Sequence, residues 1–109
     1  MNFKQETLHK LEAHQKKIED IKFIQCSDFK VSNTVNEILE LMNFDYDNGY
    51  GWAVIRDDLV IVGNDWWLER HENDGSEWWD YKEQPKPLTE QLKINNYQKL
   101  LDKHYMFYL

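Results

Sequence analysis

The chain has 109 residues, a hydrophobic share of 41% and a net charge of −7. This length fits one domain with one core, and the aromatic content is too high for a disordered chain, so we predict a single domain over residues 1–109. A lone cysteine, Cys26, excludes an internal disulfide. No apolar run reaches the roughly 20 residues of a membrane span, and no signal peptide is visible. We therefore expect a cytoplasmic protein without a membrane partner.

The acidic side chains are concentrated in the middle of the chain. Residues 26–84 carry fourteen acidic and four basic side chains, a net charge of −10, between mildly basic ends. Such a segment repels nucleic acid phosphates and attracts a basic protein surface. Solubility alone is the other explanation of the charge. Direct binding of nucleic acid is therefore not expected.

Three segments have the apolar spacing of helices. In residues 3–24 one face carries Leu8, Leu11, His14, Ile18, Ile21 and Ile24. Residues 34–43 begin with Thr34 and Glu37, which fit a capping box. Residues 88–108 carry Tyr97, Leu100, Leu101, His104, Tyr105 and Tyr108 on one face. We predict a helix in each segment.

Residues 52–83 have the composition of strands, in four runs over 52–56, 59–63, 66–72 and 77–83. Two-residue turns at Asp57-Asp58, Asn64-Asp65 and Asp74-Gly75 would join them, and Asp-Gly favours a type I′ hairpin. The predicted fold is α+β: a four-stranded antiparallel meander over about 52–83, packed with about three helices.

These turns sort the strand residues onto two faces. The first face holds Trp52, Val54, Arg56, Leu59, Ile61, Trp66, Leu68, Arg70, Trp79 and Tyr81, and we expect it to pack against the helices. The second face holds Ala53, Ile55, Val60, Val62, Trp67, Glu69, His71, Trp78, Asp80 and Lys82. A three-residue turn at Asn73-Asp74-Gly75 would flip the last strand and oppose Leu68 to Asp80, a poorer match.

The second face is the first candidate binding surface, and its candidate residues are Ile55, Val60, Val62, Trp67, Glu69, His71, Trp78 and Asp80. If helices cover both sides of the sheet, its aliphatic residues form a second core layer. If helices cover one side only, it is an apolar patch rimmed by charge, which is typical of a binding site.

The second face also suggests a chemistry. Glu69 and Asp80 would lie directly opposite each other. Like charges in that position destabilise a sheet, and such a pair sometimes marks a catalytic or metal-binding site. With Trp67 and Trp78 beside them, they suggest a small hydrolase or a sugar-binding domain. The histidines lie on separate elements, which indicates no metal site. No motif indicates a cofactor, and no complete catalytic set is present.

The acidic turns are the second candidate binding surface. Its members are Asp57, Asp58, Glu72, Asp74 and Glu77. Side chains at turns project into water, so we expect these acids to be dispensable for folding. They would contact a protein partner with a basic surface.

Residues 62–79, with the sequence VGNDWWLERHENDGSEWW, resemble a motif of small phage and prophage proteins of Gram-positive bacteria. The resemblance implies an accessory phage protein acting in the host cytoplasm. Short acidic phage proteins of this kind often bind and block a host enzyme, including CRISPR nucleases and restriction enzymes. Our leading hypothesis is a non-enzymatic protein-binding module, an inhibitor of a host nucleic-acid-handling enzyme. The alternatives are the small hydrolase or sugar-binding domain, and a structural homodimer formed through the second face.

Overall fold

A computed structural model describes residues 1–49 and 51–101. These residues form two α-helices, α1 (Phe3–Ala13) and α2 (Val35–Leu41), and four strands, β1 (Phe23–Gln25), β2 (Val60–Val62), β3 (Trp66–Asn73) and β4 (Ser76–Glu83). Short 3₁₀ helices lie at Ile18–Asp20 and Tyr97–Leu100. Neither α-helix in this part of the chain has the length and apolar character that crossing a membrane requires.

The strands form one antiparallel sheet in the order β1-β2-β3-β4, which confirms the α+β class and the four-stranded antiparallel sheet. The predicted register of the last three strands is confirmed. Ile61 pairs with Leu68, and Asn73 pairs with Ser76. Asp74 and Gly75 have φ values of 52° and 85°, as the two central residues of a type I′ turn require.

The first strand of the sheet differs from the prediction. β1 takes the position beside β2, where Ile24 pairs with Ile61, and the predicted strand over 52–56 is wrong. The N–H groups of Val54 and Ile55 donate to the Glu77 carboxylate instead, at 2.6 and 3.0 Å. Their hydrogen bonds are thus satisfied without a strand partner.

Residues 52–56 are not part of the sheet, so their predicted assignment to its two faces is wrong. Trp52 and Val54 are 91% and 56% exposed, and Arg56 is exposed as well, so their predicted place on the core face is wrong. Ala53 is also exposed. Ile55 packs against the core cluster, so its predicted place on the second face is wrong too.

The predicted helix over residues 3–24 is correct only as far as Ala13. The backbone of Gln15 has a φ of 59°, a left-handed conformation that a right-handed helix does not contain. The chain then forms a 3₁₀ turn and β1. Ile21 and Ile24 keep the apolar spacing because they rejoin the same core from outside the helix.

The other two helix predictions have different outcomes. The capping box of α2 is confirmed: Thr34 Oγ1 accepts from the Glu37 N–H at 3.2 Å, and Glu37 Oε1 accepts from the Thr34 N–H at 3.1 Å. Between residues 88 and 101 only the short 3₁₀ helix forms, so the predicted helix is wrong there. Leu88 and Leu92 are 83% and 68% exposed, and a short helix without packing is marginal in water. Residues 102–108 of that prediction lie outside the described residues.

Both α-helices pack on one face of the sheet, here called the inner face and carried by Ile24, Ile61, Trp66, Leu68, Arg70, Trp79 and Tyr81. Phe3 and Leu11 of α1 and Leu39 of α2 share the core with these residues. Neither α-helix within residues 1–49 and 51–101 therefore covers the opposite side of the sheet.

Candidate functional site

The outer face of the sheet consists of Phe23, Gln25, Val60, Val62, Trp67, Glu69, His71, Trp78, Asp80 and Lys82. One cross-strand row joins Phe23, Val62, Trp67 and Lys82, and the next joins Gln25, Val60, Glu69 and Asp80. All the predicted second-face residues from β2, β3 and β4 lie together here. The aliphatic residues are half-buried and Trp78 is 38% exposed.

Two residues of the outer face were not predicted from the sequence. Phe23 and Gln25 belong to β1, which the helical spacing of residues 3–24 concealed. The Lys30 ammonium lies 5.4 Å from the centre of the Phe23 ring, so this end of the face combines an aromatic surface with a cation. Only Ile24 of the three residues of β1 is buried, but this alternation is absent from the sequence, where Phe23 and Ile24 are both apolar.

A histidine lies between the two opposed carboxylates of the outer face. Glu69 and Asp80 are direct cross-strand partners, and His71 Nε2 lies 3.3 Å from Glu69 Oε1 and 3.3 Å from Asp80 Oδ2. The Lys82 ammonium is 3.9 Å from Glu69 Oε1. The Lys82 ammonium reduces the repulsion that two opposed carboxylates would otherwise suffer, and the imidazole lies within hydrogen-bond reach of both.

Both outer-face indoles are held by the same carboxylates. Trp67 Nε1 donates to Glu69 Oε2 at 3.4 Å, and Trp78 Nε1 donates to Asp80 Oδ1 at 3.3 Å. The His71 ring stacks near Trp78, with centroids 6.3 Å apart and planes at 20°. The polar edge of each ring is thus satisfied, and its apolar surface is oriented before a partner arrives.

This arrangement is suited to binding. Glu69 and Asp80 already accept hydrogen bonds from tryptophan and lie within reach of His71. They sit on a sheet face that offers a broad contact area. No group of three or more His, Cys, Asp or Glu side chains within residues 1–49 and 51–101 is arranged to hold a metal ion.

Three of the predicted acidic residues meet in one open cleft of about 480 Å³. Asp57, Glu72 and Asp74 line it together with Gly51, Trp52, Ala53 and Ile55. All three acids are exposed. Trp52 was predicted to lie on the core face, but it is 91% exposed and forms an aromatic wall of the acidic cleft.

Asp58 does not share the cleft. Its carboxylate accepts from Arg56 Nε and Nη2 at 2.8 and 2.7 Å and from Ser27 Oγ at 2.7 Å. The hydrogen bonds from Arg56, and then those from Ser27, hold the pKa of Asp58 well below its usual range. This carboxylate is engaged within the chain, and only Asp57 of the Asp57-Asp58 pair faces the cleft.

Glu77 is buried, so its predicted place among exposed turn acids is wrong. Its side chain is 2% exposed, and Oε1 accepts from Arg70 Nη2 at 2.9 Å. Arg70 Nη1 donates to Glu6 Oε2 at 2.9 Å, and its guanidinium lies 4.9 Å from the Trp79 ring centre. Desolvation opposes the charge of Arg70, but hydrogen bonds with Tyr46 and Glu6 hold its pKa above the ordinary value. These groups form a buried polar network between the inner face of the sheet and α1.

Tyr46 is the titratable hydroxyl of this network. Burial, and then its hydrogen bond to Glu6, raise the pKa of Tyr46 from 10.0 to about 12. A raised pKa favours the protonated form in the folded state, so its stabilisation is complete below pH 10 and is lost as the pH rises toward 12. We expect the stability difference between the wild type and Tyr46→Phe to be constant below pH 10 and to shrink above it.

Urea denaturation at a series of pH values measures this difference. The remaining tyrosines titrate in both proteins and cancel in the comparison. Parallel pH profiles for the two proteins would contradict the assignment.

Comparisons with protein-family models, with curated proteins and with solved structures found no significant match to this chain.

Proposed function

We propose that this protein is a non-enzymatic protein-binding module that engages a basic partner through the outer face. The observation that carries this proposal is the pair of indoles, Trp67 and Trp78, oriented by hydrogen bonds on the side of the sheet opposite both helices. Tryptophan is enriched among the residues that dominate binding energy at protein interfaces. An aromatic surface held in place before binding also loses little entropy when a partner docks.

The charges around the indoles favour a partner with basic residues. Glu69 and Asp80 flank the aromatic surface, and Lys82 is the one cation of the three strands β2–β4 on this face. The net charge of −10 over residues 26–84 extends the same attraction beyond the contact area. A nucleic-acid-handling enzyme presents such a basic surface in its nucleic-acid groove. An inhibitor encoded by a phage, the role that the sequence resemblance implies, would use the outer face to occupy that groove.

Sugar binding or glycoside hydrolysis is the second candidate function. Two carboxylates beside two indoles favour it. In that case Glu69→Gln would abolish turnover or binding of an oligosaccharide. In the protein-binding module, Glu69→Gln would leave a partner bound with moderately reduced affinity, because the indole surface remains.

The test compares two exposed tryptophans in affinity capture from a bacterial lysate. Trp78 belongs to the outer face, whereas Trp52 lines the acidic cleft and serves as the matched control. We expect a specific protein to be retained by the wild type and by Trp52→Ala and to be lost with Trp78→Ala. Titration of the identified partner should show at least about a tenfold loss of affinity for Trp78→Ala, the scale of an interface hot spot.

Two further measurements complete this test. Rising salt should weaken the wild-type complex, because a basic partner is attracted through charges that salt screens. Thermal denaturation should show that both variants remain folded. Equal binding by Trp78→Ala and the wild type would overturn the outer face as the binding surface.

A further inference from the structure

Strand β4 lies at one edge of the sheet, and alternate residues of an edge strand point their backbone groups away from the sheet. The Gln84 N–H donates to the Asp65 carbonyl at 2.7 Å. This bond fixes the alternation, so even-numbered residues of β4 bond to β3 and odd-numbered residues face outward. The outward N–H and C=O groups belong to Glu77, Trp79, Tyr81 and Glu83.

The first of these outward positions is closed by a side chain. Asn48 accepts from the Glu77 N–H at 2.7 Å and donates to the Glu77 carbonyl at 2.8 Å, which imitates one residue of a neighbouring strand. Within residues 1–49 and 51–101, no hydrogen bond reaches the outward groups of Trp79, Tyr81 and Glu83. Among the residues that the structure describes, the unpaired part of the edge therefore begins at Trp79.

There is room beside this free edge. An open groove of about 370 Å³ runs between α1 and β4, lined by Glu6, His9, Lys10 and Ala13 on the helix side and by Trp78 and Trp79 on the strand side. A groove between a helix and an edge strand is the site at which several protein domains add an extended segment as a further strand.

We propose that the free edge of β4 pairs antiparallel with β4 of a second copy, about a twofold axis at Tyr81. Tyr81 then lies opposite Tyr81 of the second copy, and Trp79 lies opposite its Glu83. Each of these pairs exchanges both backbone hydrogen bonds. The two sheets join into one, with both outer faces on the same side. This inference goes beyond the proposed function and does not depend on it.

Charge on the outer face selects this register. With the axis at Tyr81, Asp80 of each copy lies directly opposite Lys82 of the other. The nearest other registers that pair the outward groups place the axis at Asp80 or at Lys82. In the first, Asp80 lies opposite Asp80 of the second copy, and in the second, Lys82 lies opposite its Lys82. Like charges in that position destabilise a sheet, whereas opposite charges stabilise it.

The two ends of the free edge also match in this register. Pro85, which has no N–H to donate, would lie opposite Glu77 of the second copy. The outward groups of that Glu77 are already bonded to Asn48. Pro85, which lacks an N–H, thus lies opposite a residue whose outward backbone groups need no further hydrogen bond.

A charge exchange tests the register in the full-length protein. Sedimentation equilibrium should show a concentration-dependent dimer for the wild type. Asp80→Lys opposes two lysines and Lys82→Asp opposes two aspartates, so each variant alone should dimerise about tenfold more weakly. The two variants mixed should form a heterodimer, and the double variant D80K/K82D should regain the wild-type dimer.

A proline substitution tests the backbone pairing independently. The Glu83 N–H points outward, so Glu83→Pro spares the bonds between β3 and β4 and removes a donor from the proposed interface. We expect Glu83→Pro to be a folded monomer by circular dichroism and sedimentation, while Glu83→Ala remains a dimer. A wild type that stays monomeric at all concentrations would overturn the proposal. So would a dimer that tolerates Glu83→Pro and both single charge variants.

Discussion

Replacing Glu77 with alanine will lower the free energy of unfolding by about 3–5 kcal/mol, the cost of removing one partner from a buried ion pair. The substitution leaves the Arg70 guanidinium, whose side chain is 1% exposed, without its 2.9 Å bond to Glu77. It also removes the acceptor for the N–H groups of Val54 and Ile55. Urea denaturation measures the loss, and amide exchange should become faster at Val54 and Ile55.

Glu72 provides the control for Glu77. The two residues are direct partners across the β3–β4 hairpin, but Glu72 is exposed and lines the open cleft. We expect Glu72→Ala to change the free energy of unfolding by no more than about 0.5 kcal/mol, as at other exposed positions. A similar small effect for Glu77→Ala would contradict the role assigned to the buried network.

Trp79→Ala should cost about 3–5 kcal/mol of stability, the range for removing a large aromatic side chain from a core. Trp79 is 2% exposed, and its ring stacks on Phe3 with centroids 5.7 Å apart. Its Nε1 donates to Thr7 Oγ1 at 2.9 Å. The variant would therefore lose packing, a buried hydrogen bond and the aromatic platform beneath Arg70.

The adjacent Trp78 is the matched control, because it has the same side chain on the opposite face of the same strand. Trp78→Ala removes an indole that is 38% exposed, and we expect it to cost less than about 1 kcal/mol. Thermal and urea denaturation of both variants measure the difference. Equal losses would mean that the outer face is as buried as the inner face, and the binding proposal would lose its basis.

Much of the outer face was predictable because strand periodicity and turn chemistry agree over residues 59–83. The Asp74-Gly75 turn fixes the pairing of β3 with β4, and the pairing then assigns every side chain to a face. Trp67, Glu69 and Asp80 were placed correctly by this argument alone. It needed only local information, the two-residue turn and the alternation along each strand.

The first strand could not be predicted in the same way. Residues 52–56 have a strand-like composition, but strand formation also needs a neighbour, and Phe23–Gln25 occupies the position beside β2. That competition is decided by contacts between distant parts of the chain. Ile21 and Ile24 have a helical spacing, but Ile21 reaches the core from the end of the 3₁₀ turn and Ile24 from β1.

The buried position of Glu77 was within reach of the sequence. In the predicted register Glu77 precedes Trp79 by two residues, so both lie on the core face, and Arg70 pairs with Trp79 on that face. An arginine buried on a core face needs a carboxylate. We instead expected Glu77 to be solvated because it lies beside a turn, and so did not pair it with Arg70.

The network around Arg70 also determines when the chain can fold during synthesis. Arg70 bonds to Glu6 across a sequence separation of 64 residues, and Trp79 bonds to Thr7 across 72. An eleven-residue helix such as α1 is marginal in water by itself. We therefore expect α1 to gain a lasting structure only after β4 has followed it out of the ribosome. The contacts of α1 with Arg70 and Trp79 can be complete only after β4 has been synthesised.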